Sequence, residues 1–576
     1  MKNLKIAISL IALIIVFSAC DEDFLDRTPL DQVGATDFFT SPADLKTYVN
    51  QFYTSSKFPI FREHGGDYGT DNAFYIDVSQ YLDGTRTLDD AAYISFGDVR
   101  AVNYFFDNYK RVEEKATLEE YQQYLGEAHF FRALIYFSLL QRYGDIQWFT
   151  TTLGTESPEL IDPRTPRNIV ADNIITDLDA AASYLSEEKT DGSSRINKWM
   201  ALLIQSRVAL YEGTWEKYHN GTPFGVSNAD PNKYFNKAVE ATTAIMNSGL
   251  YDIYSTGKPS SDYHDLFILR DYSSTNEVMF WRKFDNILGK GEGAFRNQPN
   301  HQGEWPYDYS FTKELADAYL CTDGDPISVS PLFQGHDSLL IEMKNRDPRF
   351  HQTFAAPDIS WFIFEDGSTF TWGELVYDLL NTSAQYNCPA GYANRKGYNP
   401  LKIYHVPQYE ETPGIIYRYA EVLLNYAEAK AEMGSISQSD IDKSIKLLRD
   451  RVGMPNLILA NIVTDSKWDF PTLSPTINEI RRERRVELSS ENLRGFDLYR
   501  WAAMDELIVG KRPKGFLASQ ILVNPNPIDE NGFLDPYQLK LPSGYGFNVN
   551  RDYLRAIPKD QLLLNENLKQ NPGWGE

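Results

Sequence analysis

Three stretches of this chain repeat apolar residues at helical spacing while keeping one face small with alanine, and this pattern constrains the fold most. In the first, Ala128, Phe131, Ile135 and Leu139 fall three or four residues apart, with Phe130, Leu134 and Phe137 as a neighbouring stripe. A helix apolar over so much of its girth is predicted to be buried. In the second, Ala201, Ile204, Val208 and Tyr211 form the face, and Gly213 reads as its stop. In the third, Ala420, Leu424, Ala427 and Ala431 do so, closing near Gly434. Each is followed by a second amphipathic run: Ile169 to Leu185, Tyr234 to Met246, and Ile441 to Val452. Alanine lets a partner helix come close, so each pair is expected to pack tightly.

Helix, turn and helix with small residues in the first member resembles tetratricopeptide packing, but the pairs are spaced irregularly and no regular solenoid is expected. Between Tyr251 and Pro413 the character changes: Gly, Pro, Asn, Asp and aromatics dominate, with strand-like runs at Glu277 to Trp281 and Trp361 to Phe364. Two further loop-rich stretches span Phe58 to Thr87 and Pro513 to Tyr553. The predicted fold is therefore all-α dominated, a scaffold of tetratricopeptide-like helix pairs carrying a loop-rich insertion with short strands. Binding residues usually sit on loops held by such a scaffold.

Charge narrows the partners. With 56 Lys and Arg against 80 Asp and Glu the formal net charge is −24, a field that repels a phosphate backbone, so nucleic acid is not an expected partner. Cys321 and Cys388 stand far apart without a C-x-x-C companion, which argues against zinc and redox motifs and makes them small buried hydrophobes. No H-E-x-x-H, G-x-S-x-G or P-loop is present, and the eight histidines are scattered. No catalytic residue, metal or cofactor is assigned. A surface glycoside hydrolase stays open as an alternative, because residues distant in sequence can still assemble a site. So does a helical-repeat adaptor with no small ligand.

At the N-terminus Lys2 and Lys5 precede an uncharged, mostly apolar run from Ile6 to Phe17. A helix of that length rises about 18 Å, short of the roughly 30 Å hydrocarbon core, so residues 1–19 read as a signal peptide. The run ends Phe17-Ser18-Ala19-Cys20, which resembles the lipobox of bacterial lipoproteins, with Cys20 as the lipidated residue. Asp21-Glu22-Asp23 resembles the surface-export signal of Bacteroidetes lipoproteins.

Four blocks then converge on one family. They are Glu127-Ala128-His129-Phe130-Phe131-Arg132-Ala133-Leu134 with Gln141-Arg142-Tyr143-Gly144-Asp145; Tyr417-Arg418-Tyr419-Ala420-Glu421 through Ala429; Ile480-Arg481-Arg482-Glu483-Arg484-Arg485 leading to Gly495-Phe496-Asp497; and Leu554-Arg555-Ala556-Ile557-Pro558 followed by Asn571-Pro572-Gly573-Trp574. In this order, behind a lipobox, they resemble the SusD/RagB family of outer-membrane nutrient-binding lipoproteins. The resemblance implies a helical region over 20–250 and a C-terminal region over 251–576 that holds the ligand loops and the last helix pair. It also implies a lipid-anchored protein at the cell surface that binds a glycan, or a peptide as in the RagB branch. Such proteins cap a SusC-like TonB-dependent transporter and are not enzymes.

Sugar rings present a C–H face that stacks on aromatic planes. Trp305, Tyr307 and Tyr309 alternate along the chain, so in extended backbone their rings share one side at about 6.6 Å spacing. The same rings could equally well pack down on the helices. The resemblance places the family's glycan-site aromatics near this segment and in an early loop corresponding to Asp67 through Tyr81, with Asp71, Asn72, Phe74, Tyr75 and Tyr81. Arg296, Asn297 and Gln298 are the nearby polar candidates. Trp281, Trp361 and Trp372 sit in or beside apolar runs and read as core. The Arg/Glu run from Glu479 to Glu487 reads as a fold-holding salt network, with Glu479–Arg482 and Arg484–Glu487 as its i,i+3 pairs.

Overall fold

The structure, a computed structural model, describes residues 38–60, 67–75, 77–91, 93–189, 195–290, 309–371, 388–404, 411–521 and 526–575. Its scaffold helices are α1 (Pro42–Asn50), α2 (Gly97–Asn108), α3 (Leu118–Tyr143), α4 (Arg167–Tyr184), α5 (Lys198–Tyr218), α6 (Pro231–Asn247), α7 (Tyr419–Glu432), α8 (Ile445–Arg451), α9 (Pro475–Glu487) and α10 (Arg494–Arg500). They pack in a row, α3 on α4, α4 on α5, α5 on α6 and α6 on α7, with α9 behind α7. The three alanine-faced segments are α3, α5 and α7, and they form one core in which Ala128, Phe130, Phe131, Ile204, Val208, Ala420 and Leu424 are buried. No described helix is long and apolar enough to cross a membrane.

Local chemistry explains the ends. Thr117 and Glu120 close a capping box at the start of α3, and its last turn stops at Gly144, whose φ is +69°. Gly434, at φ +67°, follows α7 as expected. Gly213 does not end its helix: α5 continues through it to Tyr218. Its function is packing, because a Cβ there would stand 2.8 Å from the Phe235 ring and 3.1 Å from the Pro231 carbonyl of α6. The partner of α7 is also broken, into Gln438–Asp442 and α8, at the buried Ser444, whose hydroxyl donates to the Asp440 carbonyl.

Among the described residues, three small antiparallel ladders decorate the scaffold. β1 (Ala73–Tyr75) pairs with β3 (Tyr309–Phe311), β2 (Val278–Arg282) with β6 (Gly414–Arg418), and β4 (Ser360–Ile363) with β5 (Thr369–Thr371). β2 and β4 are the two runs expected from sequence, each shifted by one residue. Trp281, Cys321 and Cys388 are buried. Trp361 lies in β4, and Trp372 falls outside the described residues.

The charged run is α9, and its pairing differs from the helical i,i+3 pattern. Glu479–Arg482 forms, at 3.3 Å. Arg484 instead bonds Asp497 of α10 at 2.8 Å, and Glu487 receives Arg451 (2.6 Å), Arg418 (2.7 Å) and Arg349 (2.9 Å). Glu483 takes Arg349 and Arg449. The reason is burial. A desolvated charge must be met by several hydrogen bonds, and those come from neighbouring elements rather than from the next turn of the same helix. Burial alone would raise the Glu487 carboxyl; Arg451, Arg418 and Arg349 overcome it and hold it well below the usual carboxylate range.

Candidate functional site

The early loop is riveted to α9 and α10 by its polar residues. Asp67 accepts from Asn72 Nδ2 and from the Ser490 N–H, both at 2.8 Å, and Thr70 donates to the Asp67 carbonyl at 2.7 Å. Asp71 takes a two-pronged contact from Arg494, at 2.8 and 2.7 Å, and a third from Arg485 at 3.0 Å. Burial would raise its carboxyl, but Arg485 and Arg494 bring it down to about 2. Asn72 is fully buried, and its Oδ1 accepts from Arg485 at 2.7 Å. It therefore supports the loop from behind, in place of the ligand contact assigned to it from sequence. Phe74 is likewise buried, edge-on to Tyr537.

With Asp67, Asp71 and Asn72 turned inward, Tyr68 and Tyr81 face outward. Tyr68 is 37% exposed and Tyr81 43%; the Tyr68 and half-buried Tyr75 rings are 4.2 Å apart. The β1–β3 ladder sets Tyr75 opposite Tyr309, so the two stretches singled out from sequence meet at their backbones. Trp305, Tyr307 and Arg296 fall outside the described residues, as does Cys20.

Beside this loop opens a cavity of about 960 Å³. Its walls are the loop itself at Asp67–Thr70 and Tyr81, the C-terminal half of α3, α10, and the tail at Asp552–Arg555. Tyr93, 76% exposed, stands at the rim. That volume lies at the upper end of ordinary small-ligand sites and accommodates several sugar rings. Tyr81 has two guanidiniums near its ring, Arg86 at 4.6 Å and Arg555 at 5.4 Å. Arg86 is neutralised by Asp552 at 3.1 Å. The Arg555 N–H donates to the Arg142 carbonyl at 2.8 Å, which fixes these two residues side by side. Arg142 is exposed at the mouth, yet the walls desolvate its guanidinium. That burial, followed by the charge of Arg555, lowers its pKa.

One trio away from the groove has metal-ligand chemistry. Ligand atoms of Asp317, His336 and Glu342 lie within 4.8 Å of one another. Protein groups already engage them: His336 Nδ1 meets Glu342 at 2.9 Å, Tyr392 donates to Glu342 at 2.9 Å, and Lys313 pairs with Asp317.

Sequence reasoning quoted Arg142 and Arg555 within motif blocks but gave them no role, and it named neither Tyr68 nor Tyr93. Nothing in either arginine's neighbours in sequence signals the other, because the two come from opposite ends of the chain.

A stack of helix pairs thus carries a tyrosine-lined groove of small-ligand size. The SusD family profile matches residues 267–574, and a second profile, described as starch-binding associating with outer membrane, matches residues 23–210. The chain belongs to the SusD family, as its four motif blocks suggested. A SusD-like protein of Formosa agariphila is 22% identical over 99% of this chain and 100% of its own length. One from Bacteroides ovatus is 24% identical over 87% of this chain and 83% of its own. Among solved structures, a SusD-like carbohydrate binding protein from Bacteroides fragilis superposes with a TM-score of 0.70 at 21% identity, covering 92% of this chain and 100% of that one. A second SusD-like protein from the same species gives 0.68 at 22% identity, over 95% and 100%. At such identities the likeness is one of fold, and it agrees with the helix-pair scaffold.

Proposed function

We propose that this protein captures a glycan at the cell surface and hands it to a SusC-like TonB-dependent transporter in the outer membrane. The observation that carries the reading is the outward-facing set of tyrosines, Tyr68 and Tyr81, on a loop whose Asp67, Asp71 and Asn72 are committed to the scaffold. An aromatic plane offers the apolar C–H face of a sugar a stacking surface without a large entropic cost, and a rigid support keeps it pre-organised. In this reading Tyr75, Tyr81 and the segment through Trp305, Tyr307 and Tyr309 contact ligand, with Arg296 as a polar partner. Residues 1–19 are removed and Cys20 carries the lipid, several acyl chains sufficing for stable anchoring at about 0.8 kcal/mol per buried CH₂. The helical region to residue 250 and the remainder, 251–576, then act together outside the membrane.

Two measurements test this. Cys20→Ala is expected to abolish palmitate labelling and release the protein from the membrane fraction; continued labelling removes the anchor from the reading. Mild-detergent pull-down of the native lipoprotein is expected to recover a TonB-dependent barrel, and recovery of the protein alone counts against delivery. For the ligand, Tyr68→Ala and Tyr81→Ala should each weaken retention on a glycan array with the melting temperature held. Retention on a peptide array instead would replace glycan by peptide.

A further inference from the structure

We infer that the groove selects a saccharide bearing an anionic group, a carboxylate or a sulfate ester, seated on Arg142 and Arg555 beside the Tyr81 ring. The inference rests on the glycan-binding reading and adds the chemical class of the sugar.

Pairing within the cavity carries it. Five other arginines line the groove, and each has a carboxylate: Arg86 has Asp552, Arg207 has Glu421, Arg418 has Glu487 and Glu491, Arg484 has Asp497, and Arg500 has Glu428. Arg142 and Arg555 line the same groove and form no ion pair among the described residues, although acids outnumber bases by 24 in the chain. The backbone bond between them holds their two chain positions side by side, so the two like charges issue from neighbouring points on the groove wall. Position in a helix accounts for only one of the pair. Arg142 lies in the last turn of α3, where a cation is favoured by the helix dipole, but Arg555 lies in no helix.

Two adjacent guanidinium forks match the oxygens of a carboxylate or a sulfate, and each planar fork can donate two parallel hydrogen bonds. An incoming anion would also relieve the repulsion between them, so binding gains from both changes. Tyr81 supplies the neighbouring surface: with Arg555 5.4 Å from its ring centre, a pyranose stacked on the tyrosine carries its charged substituent toward the guanidiniums. Arg86 faces the same ring from within its pair with Asp552 and is a structural contact.

Affinity electrophoresis of the full chain tests this in native gels containing polygalacturonate, carrageenan or amylopectin, which present carboxylates, sulfate esters and neutral hydroxyls respectively. The protein's net charge of −24 opposes any general attraction to a polyanion, so retention there must come from a local site. Retention is expected in one of the two anionic gels, and which one names the group. The double variant Arg142→Gln, Arg555→Gln should weaken it by about tenfold or more, the loss of charge-assisted hydrogen bonds. Free galacturonate or galactose 6-sulfate should compete with the unmodified protein where galactose does not, a readout independent of any variant's folding. Retention by amylopectin alone, or anionic retention unchanged in a folded double variant, overturns the anionic class and leaves the glycan reading standing. No retention in any gel counts against both.

Discussion

Around α9 the Glu487 carboxylate is met by Arg349, Arg418 and Arg451, each buried, while in the groove wall exposed Arg142 and half-buried Arg555 stand together with no carboxylate partner among the described residues. The same side chain does two jobs. Behind α9, removal from water made pairing obligatory, and the acids came from wherever the fold brought them: Glu277 from the edge of β2, Asp347 from a loop, Glu483 and Glu487 from α9 itself. At the groove, access to water removes that obligation, and a cation can stay unpaired until something arrives. The arginines that hold this fold are therefore told from those that can bind by their partners in space.

The harshest way to break the contrast is to remove a carboxylate from the buried side. Glu487→Ala leaves three desolvated guanidiniums short of a partner, and taking one member from a buried ion pair costs about 3–5 kcal/mol. Urea denaturation is expected to show a loss of that size or failure to fold. A loss below about 1 kcal/mol would mean that the network is decoration and that pairing says little about role.

How much of this was legible beforehand follows the range of the interactions. The helices α3, α5 and α7 were visible because their periodicity is local, and so were β2 and β4, whose apolar runs are short and continuous. The salt network was foreseen as structural, but its wiring was not, because Arg451, Arg418 and Arg349 reach Glu487 from remote segments. Asn72 was assigned to the ligand along with the rest of its loop; that its side chain turns inward depends on Arg485, far along the chain. Gly213 was misread for the same reason, since its meaning lies in Phe235 of the next helix. That gives an uncharged probe of the rigid side: Gly213→Ala places a Cβ 2.8 Å from that ring, and overpacking of this kind costs about 1–3 kcal/mol. If the variant is instead more stable in thermal melts, as an ordinary helical Gly→Ala would be, the α5–α6 contact is looser than its geometry indicates.

Acidity sets two of the desolvated carboxylates, Asp71 and Glu314, apart by sign. Asp71 is held at about 2, below its ordinary 3.8, by Arg485 and Arg494 against the cost of burial. Its stabilisation is present above pH 3.8 and is lost as pH falls from there toward 2. Glu314 has the opposite shift: burial pushes it up to about 7 from 4.5, and its Oε2 is buried with no hydrogen-bond partner. The folded state then holds a proton that the unfolded chain releases, so stability is highest below pH 4.5 and declines as pH rises through 7. Glu314→Gln, which cannot ionise, should raise the melting temperature at pH 8 and leave it nearly unchanged at pH 5. A variant that melts lower at pH 8 would show that Glu314 has found a charged partner and belongs with the paired group.

The smallest effect is the most discriminating. Arg142→Gln and Arg555→Gln each remove a cation that no carboxylate meets among the described residues, so neither strands a buried charge; substitutions away from the core and its paired charges stay within about ±0.5 kcal/mol. Because the two guanidiniums repel, each single variant already relieves the repulsion, so the double variant should be less stable than the sum of the singles predicts, by the one repulsion that the sum counts twice. Repulsion at a solvent-exposed mouth is screened, so the coupling should shrink as sodium chloride rises from low ionic strength past the point where the Debye length falls to about 8 Å. A double variant more stable than the sum of the singles, or a coupling indifferent to salt, would show that the pair is held by contacts of the kind found behind α9, and Arg142 and Arg555 would then belong to the scaffold.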